Sequence, residues 1–113
     1  FRLIRLALQK WQNGSFKSKE GSWEDFRTRV LDAFEALTKD KDCNTLAVSS
    51  GGPIGLIVSE ILKSHPNTMI DLHLQIKNTS ITKIVVTSSA TYLSEFNSTP
   101  HLTHDKSKLI TYS

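Results

Sequence analysis

The sequence predicts an α/β fold, a sheet with helices packed on it, and three features carry that prediction. The stretch "LAVSSGGPIGLIVSEIL" at 46–62 reads as a short apolar strand, a glycine-containing turn and a helix with one apolar face, half of a βαβ unit. Residues 81–87 are dense in β-branched side chains, as a strand requires. Two stretches ahead of these, 1–12 and 22–38, instead repeat their apolar residues at helical spacing.

Each element has its own signal. Phe1, Ile4, Leu8 and Trp11 form a helical stripe, and Asn13-Gly14 ends it, because glycine tolerates the left-handed conformation of a C-terminal stop. A polar loop over 14–21 follows. Ser22 can cap the next helix, with Asp25 three residues on completing an imperfect capping box. Trp23, Phe26, Val30, Leu31, Phe34 and Leu37 share one face of that helix, and the charged stretch 39–42 reads as a solvated turn. Leu46, Ala47 and Val48 are too short a run for a helix and are expected to form a buried strand. Ile54, Ile57, Val58, Ile61 and Leu62 continue as an amphipathic helix that Pro66 ends.

The stretch 69–76 fits two patterns. Ile70, Leu72, Leu74 and Ile76 alternate like a strand, while Met69, Leu72 and Ile76 fit a helix face. The strand at 81–87 is expected to return through Ser88-Ser89-Ala90 into an antiparallel partner at 92–96. The tail, 97–113, reads as irregular with a short final strand at 109–112.

Composition bounds the function. Hydrophobic residues make up 38% and charged residues 22% of the 113, the balance of a soluble globular chain of one domain. The net charge of +3 is scattered, which gives nucleic-acid binding no support. No apolar run is long enough to span a bilayer. The single cysteine, Cys43, excludes an internal disulfide and fits a reducing compartment, so the expected location is cytoplasmic. His65, His73, His101 and His104 lack zinc-ligand spacing and read as surface or loop histidines, so neither a metal nor any other cofactor is expected.

The turn at 50–53 is the candidate site. Gly51 and Gly52 let a ligand approach the backbone, and Pro53 suits the first helical position. The free N–H groups and dipole of a helix N-terminus favour an anion. On local pattern alone this stays open, since the same glycines also make a plain strand-to-helix turn. There is no P-loop lysine and no dinucleotide spacing.

The order of segments is more specific. "GSWEDFRTRV", then "LAVSSGGPIGLIVSEIL", then "IKNTSITKIVV" and "FNSTPHL" resembles the C-terminal half of the histidine phosphatase superfamily, the phosphoglycerate mutase-like proteins. The resemblance extends to "LQKWQNG" near the start. It implies a three-layer α/β/α fold with a mixed, mainly parallel sheet, of which residues 1–113 would be the C-terminal portion. Phe1 opens the chain without a methionine and inside a helical pattern, so the N-terminal half of the domain is expected to be missing.

The resemblance implies phosphoryl transfer through a phosphohistidine. The nucleophile of such proteins lies in an upstream Arg-His-Gly motif that this sequence does not contain. A phosphomonoester hydrolase is therefore expected of the parent, and this chain would supply Ser50 and the Gly51 backbone to the phosphate. The alternative is a catalytically impaired relative that serves as a phosphate-ligand-binding or assembly module. Two departures bear on the choice. Ser50 stands where the family has its second histidine, and losing a charged donor aimed at the transition state weakens catalysis by about 3 kcal/mol. Gly21 stands where the acid/base glutamate would precede the serine, and Glu20, one residue earlier, reads either as its substitute or as an ordinary exposed charge.

Other residues have plainer expectations. Trp11 and Trp23 read as core anchors, and Arg27 and Arg29 as a solvated face rather than phosphate ligands. His101 reads as loop-fixing, and Asn78 and Ser80 as satisfying backbone groups before the strand. The expected partners are a small phosphorylated substrate or phosphate and the missing N-terminal half, with no nucleic acid and no membrane. A homodimer is left open.

Overall fold

The computed structural model describes residues 2–15, 19, 21–102 and 104–112. Four α-helices come first among them: α1 (Arg2–Gln12), α2 (Trp23–Leu37), α3 (Gly51–Ile61) and α4 (Thr68–Gln75). The hairpin β1 (Ile81–Val86) and β2 (Thr91–Ser98) follows, then a 3-10 helix at His104–Leu109.

The capping box of α2 closes fully. The Ser22 hydroxyl accepts from the Asp25 N–H at 3.2 Å, and Asp25 Oδ2 accepts from the Ser22 N–H at 3.1 Å. Aspartate does here what glutamate usually does, satisfying two helix-end donors at once. From that start Trp23 is carried into the core at 7% exposure beside Leu56, Met69, Ile70 and Leu74. Leu8, Trp11, Phe26 and Val30 pack around this cluster, so both tryptophans are core anchors as expected. Trp11 meets Trp23 edge-on, with centroids 5.6 Å apart at 84°.

The stripe expected on α1 is thinner than its spacing suggests. Phe1 lies outside the described residues, and Ile4 is 47% exposed. The helix is fastened by its second half and by polar contacts instead. Gln12 Nε2 donates to the Pro66 carbonyl at 2.7 Å, and Arg5 pairs with Asp71.

The ambiguous stretch at 69–76 resolves as helix α4. Met69, Ile70 and Leu74 are buried on it, with Met69 and Ile70 at 2% and 1% exposure. It lies close against α3 through Gly55. A Cβ on that glycine would stand 3.0 Å from the Met69 carbonyl oxygen and 3.1 Å from the His73 nitrogen. A helix backbone can come this near only where the side chain is a hydrogen.

Of two expectations about the sheet, one is corrected and the other is not seen among the described residues. Residues 46–48 form no strand among the described residues and are not buried, for Leu46 is 94% and Val48 96% exposed. The cause is physical: a strand is held by a neighbour's ladder and by packing, and neither reaches this run. The sheet of the described residues is a two-stranded antiparallel hairpin, so the mixed, mainly parallel sheet is not seen. In the hairpin, Val86 pairs with Thr91 and Ile84 with Leu93, and the register slips between Ile81 and Ile84.

The tail is more ordered than its sequence suggests. β2 runs on to Ser98, and the expected final strand shrinks to one bridge between Tyr112 and Lys77. Asn78 fixes that end, its N–H donating to the Thr111 carbonyl at 2.8 Å and its Nδ2 to the Thr111 hydroxyl at 2.9 Å.

Candidate functional site

Ser50 is the N-cap of α3, with extended backbone at φ −120° and ψ 173°. Its carbonyl accepts the first helical bond, from the Ile54 N–H at 3.2 Å. Gly51 and Gly52 are therefore the first two helical residues and Pro53 the third, two places later than expected. The proline is harmless there because an N–H at that position would still precede the first bonded one. Among the described residues, the N–H groups of Gly51 and Gly52 have no hydrogen-bond partner, and the Ser50 hydroxyl makes no capping bond. Two backbone donors and one free hydroxyl thus gather at the positive end of a helix dipole, an arrangement suited to phosphate oxygens.

The turn is supported from behind. A Cβ on Gly52 would lie 3.6 Å from Phe26 Cζ and 3.7 Å from His73 Nδ1, so α2 and α4 both bear on the first turn of α3. His73 is half-buried on α4, not a surface or loop histidine, and among the described residues its buried Nδ1 has no hydrogen-bond partner. Only the helical reading of 69–76, with Met69, Ile70 and Leu74 on the buried side, would have found it. In front of the turn there is no such support. All of residues 41–50 are exposed, and among the described residues no hydrogen bond reaches the backbone of 46–49.

Glu20 lies outside the described residues. Its neighbour Gly21 has φ +114°, a left-handed conformation that L side chains rarely adopt. A Cβ there would stand 2.8 Å from Asp25 Oδ2, the oxygen that completes the α2 cap. A glutamate at this position would strain the backbone and press on the capping box. The Gly21 carbonyl also accepts from the Trp11 indole N–H at 3.3 Å.

Arg27 is engaged elsewhere. Its Nε donates to Glu60 at 2.9 Å, and that carboxylate pushes the guanidinium pKa further above its ordinary value. Arg29 is exposed on α2. His101 is loop-fixing as expected, its Nε2 standing 3.0 Å from the Thr79 hydroxyl. Thr79 itself is held at φ 62°. Among the described residues, no group of three or more His, Cys, Asp or Glu side chains gathers where a metal ion could be held. Nor is any helix long and apolar enough to cross a membrane.

Sequence reasoning passed over Asn97 as a structural residue. It sits at φ 58° within β2, where asparagine tolerates what most residues do not. Its Oδ1 accepts from the Lys77 N–H at 2.8 Å and its Nδ2 donates to the Gln75 carbonyl at 2.7 Å. One side chain so ties the end of α4 to the hairpin. An asparagine at the end of an alternating stretch was the available signal.

No curated protein and no solved structure matches the chain significantly. The model of the histidine phosphatase superfamily (branch 1) does match, over residues 3–99. That span takes in the Ser22 helix start, the Ser50-Gly51-Gly52 turn, the hairpin and Asn97. The chain belongs to the histidine phosphatase superfamily, branch 1, and its function is phosphatase-like at the level of that family.

Proposed function

We propose that this chain contributes the phosphate-holding part of a phosphomonoester hydrolase that acts through a phosphohistidine supplied from upstream. The observation that carries the reading is the free Ser50 hydroxyl beside the two unpartnered N–H groups of Gly51 and Gly52. In this reading the hydroxyl and the Gly51 N–H each donate to a phosphate oxygen, and the dipole of α3 offsets part of the charge. The upstream histidine attacks phosphorus, the leaving oxygen takes a proton, and water then releases phosphate from the histidine. Glu20 is the candidate for the proton. Hydrolysis is favoured over a mutase because water alone discharges the phosphohistidine.

The missing half would also supply strands on either side of 46–48, which would turn this run into part of a mainly parallel sheet between helix layers. The exposure of Leu46 and Val48 supports this, since both would be covered by such a sheet. An intracellular, cytoplasmic setting fits the exposed free thiol of Cys43.

The strain a glutamate would meet at Gly21 and the serine in place of a histidine at Ser50 favour a second reading, a family member that keeps the phosphate turn for binding or assembly. One comparison separates the two. The full-length parent is assayed on an aryl phosphate, alongside Ser50→His and a variant lacking the upstream histidine. Wild-type turnover that disappears with that histidine excludes the binding-only reading. Inert proteins whose melting temperature still rises with phosphate would sink the hydrolase.

A further inference from the structure

We propose that Asn13 is a spontaneous deamidation site, the first asparagine of the chain to convert to aspartate and isoaspartate. The reaction needs the backbone nitrogen of the following residue to reach the side-chain amide carbon. At Asn13 that residue is Gly14, which carries no side chain to obstruct the approach. Among the described residues the site has open space around it, for none lies within 4 Å of where a Gly14 Cβ would stand. Asn13, Gly14 and Ser15 are all exposed.

The amide is also polarised. Asn13 Oδ1 accepts from the Ser15 hydroxyl at 2.6 Å and from the Ser15 N–H at 3.2 Å. Both donors draw electrons from the carbonyl and stabilise the oxyanion that forms on attack. The Gly14 N–H donates to the Trp11 carbonyl at 3.2 Å, a terminal helix bond that must open first. Hydroxide or water then removes the Gly14 amide proton, and the nitrogen bonds to the Asn13 side-chain carbon. Ammonia leaves, and a five-membered succinimide remains. Water adds to either of its carbonyls, opening the ring to aspartate or to isoaspartate.

The other asparagines are each disfavoured. Asn97 is fixed by both its side-chain atoms, to Lys77 and Gln75. The Asn78 amide donates to Thr111. Asn44 and Asn67 are exposed but precede the β-branched Thr45 and Thr68, which screen the attacking nitrogen. The products act where α1 is joined to α2. A carboxylate appears at the C-terminal end of α1, where the helix dipole disfavours negative charge. Isoaspartate further inserts a methylene into the main chain between Trp11 and Gly21, which are hydrogen-bonded to each other. This inference does not depend on the proposed hydrolase.

The full chain is incubated at mildly alkaline pH, digested and followed by mass spectrometry. The peptide holding Asn13 is expected to convert several-fold faster than those holding Asn44, Asn67, Asn78 and Asn97, and to split into an aspartate and an isoaspartate form. Gly14→Ala is expected to slow it several-fold. The ranking within the wild-type chain needs no variant to fold. Conversion at Asn44 or Asn67 ahead of Asn13, or an unchanged rate in Gly14→Ala, overturns the proposal.

Discussion

Replacing Gly55 by alanine tests whether the close crossing of α3 and α4 depends on the absence of a side chain there. The added Cβ would meet the Met69 carbonyl oxygen at 3.0 Å, the His73 nitrogen at 3.1 Å and the His73 Cα at 3.4 Å. All three are backbone atoms of α4, so no side chain can turn aside and the helices must part by a few tenths of an ångström. Overpacking of this kind destabilises by about 1–3 kcal/mol. Alanine's better helix propensity returns about 1 kcal/mol. The net expectation is a loss of about 1 kcal/mol. Gly52→Ala is the matched control. Its Cβ meets nothing closer than Phe26 Cζ at 3.6 Å, which is ordinary contact. There the propensity gain is unopposed, and stability holds or rises by up to about 1 kcal/mol. Urea denaturation followed by tryptophan fluorescence reads both, because Trp11 and Trp23 lie in or against the core. A Gly55→Ala variant as stable as Gly52→Ala, at equal denaturant slope, would refute the argument.

Four further outcomes follow from the burial and hydrogen bonding of other residues. Leu46→Ser combined with Val48→Ser should change stability by no more than about 0.5 kcal/mol, because both side chains already face solvent. Leu56→Ala, at 1% exposure, should lose about 2–5 kcal/mol, and denaturation curves that rank the two the other way would contradict the core described here. Asn97→Ala leaves the Lys77 N–H and the Gln75 carbonyl without their partner and should lose about 1–3 kcal/mol for the bonds, with added strain at φ 58°. Asn97→Gly removes the bonds but not the conformational tolerance and should melt between the two. The Cys43 thiol is hydrogen-bonded to Asp40 at 3.1 Å, and that carboxylate raises its pKa because it disfavours a thiolate alongside. Alkylation near neutral pH should therefore be slower than for an ordinary thiol and should quicken in Asp40→Asn; equal rates would remove Asp40 from the account.

What the sequence revealed was local, and what it concealed was the identity of neighbours. Ser22 and Asp25 act on N–H groups within one turn, so the start of α2 could be read directly. The hairpin was legible for the same reason, since β1 meets β2 across a short turn. The segment 69–76 could not be assigned by period alone, because its choice depends on Gly55, fourteen residues before Met69, admitting a second helix backbone. Leu46, Ala47 and Val48 show the opposite case. The pattern of a buried strand states what a run needs, and the described residues do not provide it. His73 and Asn97 were missed because their roles rest on partners distant in sequence: Gly52 for one, Gln75 and Lys77 for the other.

The turn at 50–53 is thus held on one side only, and this bears on the two functional readings differently. The N–H groups of Gly51 and Gly52 belong to α3, which is fixed by α4 at Gly55 and by Phe26 and His73 at Gly52. These donors are oriented before any ligand arrives, which is what anion binding requires. Ser50 stands at the junction, its carbonyl tied to Ile54 but its chain running back into 46–49, whose backbone no hydrogen bond reaches among the described residues. Transition-state stabilisation depends on donors fixed in advance, because a donor that must be ordered during the reaction forfeits much of its effect. The binding reading therefore needs the α3 side alone, whereas the proposed hydrolase needs the strand side paired. In this chain by itself, Ser50→His would add a charge without fixing its direction. Under the proposed hydrolase, the exchange tests the chemistry of the site only where 46–48 has strands beside it.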